Sequence, residues 1–172
     1  MFEVGCTVLY GNEGVCTVKD ITSKEMGGSL RKYYVLEPVY QRKTTVFVPV
    51  DNERLASKMR NIVTSDEISS ILAAVPTKTI PWIADHATRK EVYKEAITRG
   101  DCCELLRMCL TLHKRKDELA EQRRKLSVAD GNFLKSAEKM VFDEFASALH
   151  IPPEQVLPII RSHFEYEDKS SV

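Results

Sequence analysis

The sequence has no apolar run close to the roughly 20 residues that a transmembrane helix requires. Its first five residues also lack the basic region and the apolar core of a signal peptide. These two absences predict a cytoplasmic protein that does not contact a membrane. The hydrophobic content of 43% and the charged content of 29% are typical of soluble globular domains.

Recognisable catalytic motifs are absent too. The sequence contains no phosphate-binding glycine loop, no nucleophile elbow and no zinc-protease helix. The histidines lie singly, without a companion Asp or Ser at a telling position; they are His86, His113, His150 and His163. We therefore predict a protein that is not an enzyme, with no catalytic residues, no cofactor and no bound metal.

The cysteines are odd in number, which argues against a disulfide framework in a chain without an export signal. They are Cys6, Cys16, Cys102, Cys103 and Cys109. Cys102, Cys109 and His113 recur on one helix face, so a metal- or thiol-dependent enzyme is an alternative hypothesis. Leucines on and beside the same face favour small buried thiols in a core.

The net charge of zero hides an uneven distribution of charged side chains. Residues 77–126 carry 12 basic and 8 acidic side chains, whereas residues 127–172 carry 4 basic and 8 acidic ones. A locally basic segment is compatible with nucleic-acid binding, although a solvated helix face also produces such an excess.

The first third of the chain reads as short strands separated by turns. Glycines at Gly11 and Gly14 and again at Gly27–Gly28 mark two of these turns, and Pro38 and Pro49 stop two strands. This spacing predicts a small, strongly bent antiparallel sheet or barrel. The predicted strands are Val4–Tyr10, Val15–Ile21, Tyr33–Leu36 and Thr44–Val48, with residues 59–63 as a short closing strand.

The rest of the chain reads as helices with clear start signals. Thr64 and Glu67 form a capping box before a helix that ends near Ala74. Later helices are predicted from about Asp85 to Arg99, from Asp101 to about Lys125, and from Ser127 onward, followed by a last short one. The predicted fold class is α+β, with a β-barrel followed by an all-α helical bundle. The predicted domains are residues 1–63, a connecting helix at 64–76, and residues 77–172.

Trp82 is the only tryptophan, and it lies at the start of the helical half, directly after Pro81. Composition alone favours an indole that packs the junction between the domains. Alternatively, an exposed tryptophan wedges against nucleic-acid bases, as apolar side chains of minor-groove proteins do. Basic side chains in the same segment are candidates for phosphate contacts; they are Arg89, Lys90, Arg123 and Arg124.

Several segments, in this order, resemble the CarD-like family of bacterial transcription regulators. The N-terminal ones are Phe2–Tyr10 with Gly14, Tyr33–Leu36 and Val46–Asn52. The similarity continues through Trp82, Arg99-Gly100-Asp101, Leu126-Ser127 and the helix from Ala137 to Phe145. Each motif is weak, and their order and spacing make the match specific. The first half also resembles the polymerase-binding module of transcription-repair coupling factors, whose helicase is absent here.

The resemblance implies a Tudor-like N-terminal barrel that binds the β subunit of RNA polymerase through an edge strand. The residues that match this surface are Lys24, Thr44, Thr45, Val46, Phe47 and Val48. It also implies a helical domain that contacts promoter DNA, in which Trp82 wedges at the upstream edge of the transcription bubble. Relatives often carry basic residues where this chain has Gly131-Asn132, so we assign the phosphate contacts to Arg123 and Arg124 in addition to Arg89 and Lys90.

The resulting hypothesis is a monomeric regulator that binds RNA polymerase β and promoter DNA and stabilises the open complex. The alternative is a protein–protein adaptor whose helical domain binds another protein and whose Trp82 packs the domain interface. Accessibility of the indole to a fluorescence quencher discriminates between the two.

Overall fold

A computed structural model describes residues 1–26, 28–40, 44–75 and 81–169 of the chain. The chain divides into two units, Met1–Ile62 and Val63–Val172. The first unit is a β-sheet with one short helix and the second is helical. The predicted α+β class is therefore confirmed.

The sheet of the first unit has five antiparallel strands in the order β4-β3-β2-β1-β5. A short helical turn joins the first two strands, and a register shift at Lys19 bends β2. The strands are β1 at Thr7–Tyr10, β2 at Gly14–Met26, β3 at Ser29–Pro38, β4 at Val46–Pro49 and β5 at Met59–Asn61. A single helical turn, α1 at Glu53–Ala56, precedes β5.

Three sequence predictions about this sheet were wrong in detail. Among the described residues the sheet stays open, with β4 and β5 at its edges, so the predicted barrel is not closed. The closing strand is only three residues long and pairs with β1 alone. The strand predicted at Thr44–Val48 begins at Val46, so Thr44 and Thr45 precede it.

One face of the sheet carries the core of the first unit. Alternate residues of neighbouring strands point to the same face, which brings side chains from all five strands together. The buried members are Val8, Cys16, Val18, Tyr34, Leu36, Val48 and Met59. This alternation leaves Phe47 on β4 pointing away from the core, because both of its neighbours, Val46 and Val48, belong to the core side.

Within the described residues, five α-helices and a 3-10 turn at Pro153–Gln155 form the second unit. Their bounds are α2 at Ser65–Ala74, α3 at His86–Arg99, α4 at Cys102–Glu121, α5 at Val128–Leu149 and α6 at Val156–Lys169. Helix α5 packs against α2, α3, α4 and α6 and so forms the centre of the unit. Its buried apolar face includes Leu134, Ala137, Val141 and Phe145, as the spacing of these residues predicts.

The predicted helix starts are confirmed. Thr64 and Glu67 form both hydrogen bonds of the capping box. Asp85, Asp101 and Ser127 each accept a hydrogen bond from the backbone N–H three residues on. These caps were predictable because their chemistry is complete within four consecutive residues.

The end of α4 differs from the prediction. The helix ends at Glu121, and Arg123 adopts the left-handed conformation with φ of 56°. The N–H of Arg123 donates to Ala120 O at 2.9 Å, and the N–H of Arg124 donates to Leu119 O at 2.7 Å. This pair of bonds is a Schellman closure, which glycine usually makes. Since arginine occupies the position that glycine usually fills, no local sequence pattern marks the end of this helix.

A buried glutamate connects three helices of the second unit. Glu144 on α5 is 1% exposed, and its Oε1 accepts a hydrogen bond from the Val63 N–H at 3.0 Å. Its Oε2 accepts one from the Cys102 thiol at 3.1 Å. A side chain near the C-terminal end of α5 thereby holds the residue that leads into α2 and the first residue of α4.

Candidate functional site

Trp82 lies in the loop that precedes α3 and is partly exposed. Two guanidinium groups lie over its ring. The Arg89 Cζ is 4.3 Å from the ring centroid and the Arg115 Cζ is 5.2 Å from it. Cations at this distance from an indole face are attracted to its π-electrons. The helical unit itself therefore orients the indole, through side chains from α3 and α4.

Arg89 is the centre of this arrangement. It is 5% exposed, and its Nε and Nη2 donate to the two carboxylate oxygens of Asp130 at 2.9 and 3.0 Å. Its Nη1 donates to the backbone oxygens of Ile83 at 2.8 Å and Ala84 at 3.3 Å. The guanidinium thus binds the loop that carries Trp82, the Trp82 ring, and helix α5 at the same time.

Asp130 is 5% exposed and is itself fixed by the start of α5. Its backbone N–H donates to the Ser127 Oγ at 3.1 Å, and the Ser127 hydroxyl donates to the Asp130 Oδ2 at 2.7 Å. Burial alone would raise the pKa of Asp130. The hydrogen bonds from Arg89 and Ser127 and the positive charges of Arg89 and His86 outweigh this effect and lower the pKa. The carboxylate is therefore charged at neutral pH.

Arg115 contacts the indole from α4. Its Nη1 donates to Glu118 at 2.9 Å, one turn further along the helix. Among the described residues its buried Nε has no hydrogen-bond partner. Arg115 is half-buried, so its guanidinium covers the indole and also reaches solvent.

The other predicted phosphate contacts are exposed. Lys90 follows Arg89 on α3 and faces solvent, and Arg123 and Arg124 lie in the loop between α4 and α5. Arg115 lies six residues before the last residue of α4, which is about 9 Å along the helix axis. Asp130 is the third residue of α5. The loop with Arg123 and Arg124 is therefore at the same end of the helical unit as Trp82.

Arg89 differs from these three basic residues. Asp130 and the loop carbonyls occupy its donors, and little of its surface reaches solvent. In this arrangement it contacts Trp82, and of the four predicted phosphate contacts only Lys90, Arg123 and Arg124 are exposed.

The second candidate site is the edge strand β4, which pairs with β3 alone among the described residues. The Val50 N–H donates to Lys32 O at 2.9 Å on β3. Backbone groups alternate in direction along an antiparallel strand. Val48 and Val46 therefore also point their N–H and C=O groups at β3, and Phe47 points both of its groups at the free edge. Pro49, the next outward-facing residue, has no N–H.

Side chains from three strands surround this edge. The Lys24 Nζ on β2 lies 4.1 Å from the centroid of the Phe47 ring. The Tyr33 ring on β3 meets the Phe47 ring edge to face, with centroids 6.4 Å apart. Phe47 is 37% exposed. The sheet thus brings together Lys24 and Phe47, two residues of the predicted polymerase-binding surface that are far apart in the sequence.

Residues 2–63 match the family model of the CarD-like/TRCF RID domain. The sheet unit therefore belongs to this domain family. The match coincides with the sheet unit, and it includes both β4 and Lys24. Domains of this family interact with the RNA polymerase β subunit, which connects the sheet unit with transcription.

Two buried thiols, those of Cys16 and Cys109, are not activated nucleophiles. Burial, with a smaller effect of Glu138, raises the pKa of Cys109, and burial and Glu13 raise the pKa of Cys16 to about 11. Within the described ranges no three His, Cys, Asp or Glu side chains are grouped as metal ligands would be. In the same residues, no helix is long and apolar enough to cross a bilayer.

Sequence reasoning missed three members of the Trp82 site. They are Arg115, Asp130, and Ser127 as a hydrogen-bond donor to the Asp130 carboxylate. Asp130 follows a capping serine by three residues, a position at which an acidic side chain ordinarily stabilises the helix start and faces solvent. Its burial depends on Arg89, which lies 41 residues earlier in the chain. No local pattern signals a contact across that separation.

Proposed function

We propose that this CarD-like chain is a non-enzymatic transcription regulator that binds RNA polymerase β through β4 and stabilises the open promoter complex through Trp82. The observation that carries the proposal is a partly exposed indole held by two guanidiniums in a chain whose other unit is a CarD-like/TRCF RID domain. Since RNA polymerase acts in the bacterial cytoplasm, the proposal places the protein there, as a monomer.

Polymerase binding would proceed by strand addition. The free edge of β4 offers the N–H and C=O of Phe47 to a partner strand, and main-chain hydrogen bonds of this kind supply most of the affinity in strand addition. The exposed Phe47 ring and the Lys24 ammonium beside it provide an apolar and a cationic contact. In this proposal the polymerase-binding surface lies at the β4 edge of an open sheet, where the family resemblance implies a Tudor-like barrel.

The helical unit would act on melted DNA. When polymerase opens a promoter, the last base step of the upstream duplex is deformed, and an apolar side chain fills such a gap favourably. A ligand shifts an equilibrium only through its different affinities for the two states, and about 1.4 kcal/mol changes the ratio tenfold. An indole that fits the open form therefore slows the collapse of the bubble.

The charge distribution supports binding to polymerase first. Lys90, Arg123 and Arg124 are exposed cations at or near the Trp82 end, but the whole chain is neutral. So few phosphate contacts give weak binding to free DNA. Attachment to polymerase raises the local concentration of the helical unit at the promoter, which makes weak contacts effective.

The deciding experiment measures the lifetime of competitor-resistant open complexes with purified polymerase and the wild-type, Trp82→Ala and Trp82→Phe proteins. Trp82→Ala should shorten the lifetime, while Trp82→Phe, which keeps an aromatic wedge, should retain part of the effect. All three should bind polymerase equally. An unchanged lifetime with Trp82→Ala would remove Trp82 from the mechanism and favour an adaptor whose helical unit binds another protein.

Strand addition is tested at Phe47, because its N–H faces the free edge. Phe47→Pro removes this donor together with the ring, whereas Phe47→Ala removes the ring alone. Binding to the isolated polymerase β domain should fall much further for Phe47→Pro than for Phe47→Ala. Equal affinities of the two variants would show that the backbone edge is not used. Circular dichroism checks that both variants keep the sheet.

A further inference from the structure

Arg89 is placed to set the position of Trp82 because it contacts both the ring and the loop that carries it. Its Nη1 binds the carbonyls of the two residues that follow Trp82, and its guanidinium lies 4.3 Å from the ring centroid. An arginine side chain has several rotatable bonds and loses much rotamer entropy when it is fixed. Something else must therefore hold the guanidinium in this one orientation.

Asp130 supplies that constraint. Its two oxygens accept the Nε and Nη2 protons in a bidentate pair, which fixes the plane of the guanidinium as well as its position. The carboxylate is in turn fixed by the reciprocal hydrogen bonds with Ser127 at the start of α5. A chain of contacts thus runs from the first turn of α5 through Arg89 to the indole.

We propose that Asp130 is a positioning residue for Trp82, acting through Arg89, and that Ser127 assists it. The inference rests on the proposed function for its consequence at the promoter, but not for its consequence in the free protein. Asp130 touches no DNA in this scheme. It holds the indole in the orientation that fits the open complex, so that binding does not have to select that orientation from many.

Charge alone predicts the opposite effect of removing Asp130. Asp130→Asn adds one positive charge at the end of the helical unit that carries Arg123 and Arg124, and added positive charge ordinarily strengthens DNA binding. The positioning role predicts instead that Asp130→Asn stabilises the open complex less than the wild-type protein does. Glu121→Gln is the matched control, since Glu121 is an exposed acid at the end of α4 beside the same basic loop. It changes the charge equally and leaves the contacts of Arg89 in place.

The first measurement uses the free protein. Trp82 is the only tryptophan, so its fluorescence reports on this site alone. Asp130→Asn should increase acrylamide quenching and lower the anisotropy of Trp82, and Ser127→Ala should do so to a smaller extent. Glu121→Gln should leave both unchanged. Unchanged quenching and anisotropy in a folded Asp130→Asn protein would overturn the proposal. If that variant does not fold, Arg89→Lys, which keeps the charge and loses the bidentate fork, is judged by the same criterion.

The second measurement is the open-complex lifetime. If the loop of Asp130→Asn holds the indole correctly for about one tenth of the time, the stabilisation that depends on Trp82 should fall about tenfold. Glu121→Gln should keep or lengthen the lifetime. In the Trp82→Ala background Asp130→Asn should have no further effect, because the residue that it positions is gone. Additive effects of the two substitutions would refute action through Trp82.

The two measurements separate this inference from the proposed function. One outcome is that Asp130→Asn increases the quenching and lowers the anisotropy of Trp82, while neither Asp130→Asn nor Trp82→Ala changes the open-complex lifetime. This outcome would support the positioning role of Asp130 and overturn the proposal that Trp82 acts as a wedge. A lifetime that depends on Trp82 but not on Asp130, with unchanged fluorescence, would support the wedge and overturn positioning.

Discussion

Replacing Arg89 by methionine removes the guanidinium that neutralises the buried carboxylate of Asp130. Both residues are 5% exposed, so water cannot take over the role of the lost partner. Removing one member of a buried ion pair costs about 3–5 kcal/mol of unfolding free energy, because the other charge stays buried without compensation. For a unit of this size, about 4 °C of melting temperature accompanies each kcal/mol, so we expect a loss of about 12–20 °C.

The double variant Arg89→Met/Asp130→Asn should regain most of this loss. It leaves no buried charge without a partner, because methionine replaces the guanidinium by an apolar side chain of similar volume and asparagine is the uncharged isostere of aspartate. Urea unfolding of the wild type, the two single variants and the double variant forms a cycle whose coupling energy isolates the pair. Arg99→Met is the matched control on the same helix, since Arg99 and Glu104 form an exposed pair, and such pairs contribute at most about 1 kcal/mol.

The stability of Arg89→Met should also depend on pH with a definite sign. In the wild type the pKa of Asp130 is lowered, so its contribution is present at neutral pH and is lost only as the pH falls through that lowered value. In the variant burial dominates and the pKa is raised above that of the unfolded chain. The variant should therefore regain stability relative to the wild type between pH 7 and pH 5. A loss below 1 kcal/mol, equal to that of Arg99→Met and independent of pH, would refute this reasoning.

Three further predictions concern single side chains. Arg123→Gly should stabilise the helical unit by about 1 kcal/mol, because glycine adopts the left-handed conformation without strain, whereas Arg124→Gly should not; urea unfolding compares the two. Burial raises the pKa of Tyr93 to about 12, so wild-type stability should fall as the pH rises above 10, and Tyr93→Phe should make that fall smaller in the same assay. Cys16 and Cys109 should resist alkylation at pH 8 in the folded protein and react after unfolding, as mass spectrometry of labelled protein would show; rapid labelling of either would contradict their raised pKa.

Features whose chemistry is local were predictable from the sequence. The four helix caps, the left-handed Gly100 and the existence of the strands all follow from short patterns, and the structure contains each of them. The position of β4 as an edge strand came from the family resemblance, and the sheet order has it there.

Features that depend on distant contacts were not predictable. The closure of the sheet depends on pairing between β4 and β5, which short patterns do not encode. The buried side of α5 contains Asp130, Asp143 and Glu144, three acids that a periodicity argument places in solvent. Arg89 was assigned to phosphate binding because it is basic and near Trp82, and only the folded unit reveals that Asp130 pairs with it.

The bond from the Val63 N–H to Glu144 has a mechanical consequence. Val63 is the first residue of the helical unit, and its hydrogen bond to Glu144 attaches it to α5. A force applied to the chain at Val63 therefore acts on this bond before it can unfold α2 turn by turn. Such a pull must first break a hydrogen bond to a buried carboxylate in the centre of the unit. The helical unit should therefore unfold cooperatively under force, with a single unfolding event in a pulling experiment. Glu144→Gln should lower the rupture force more than a substitution on the exposed face of α2.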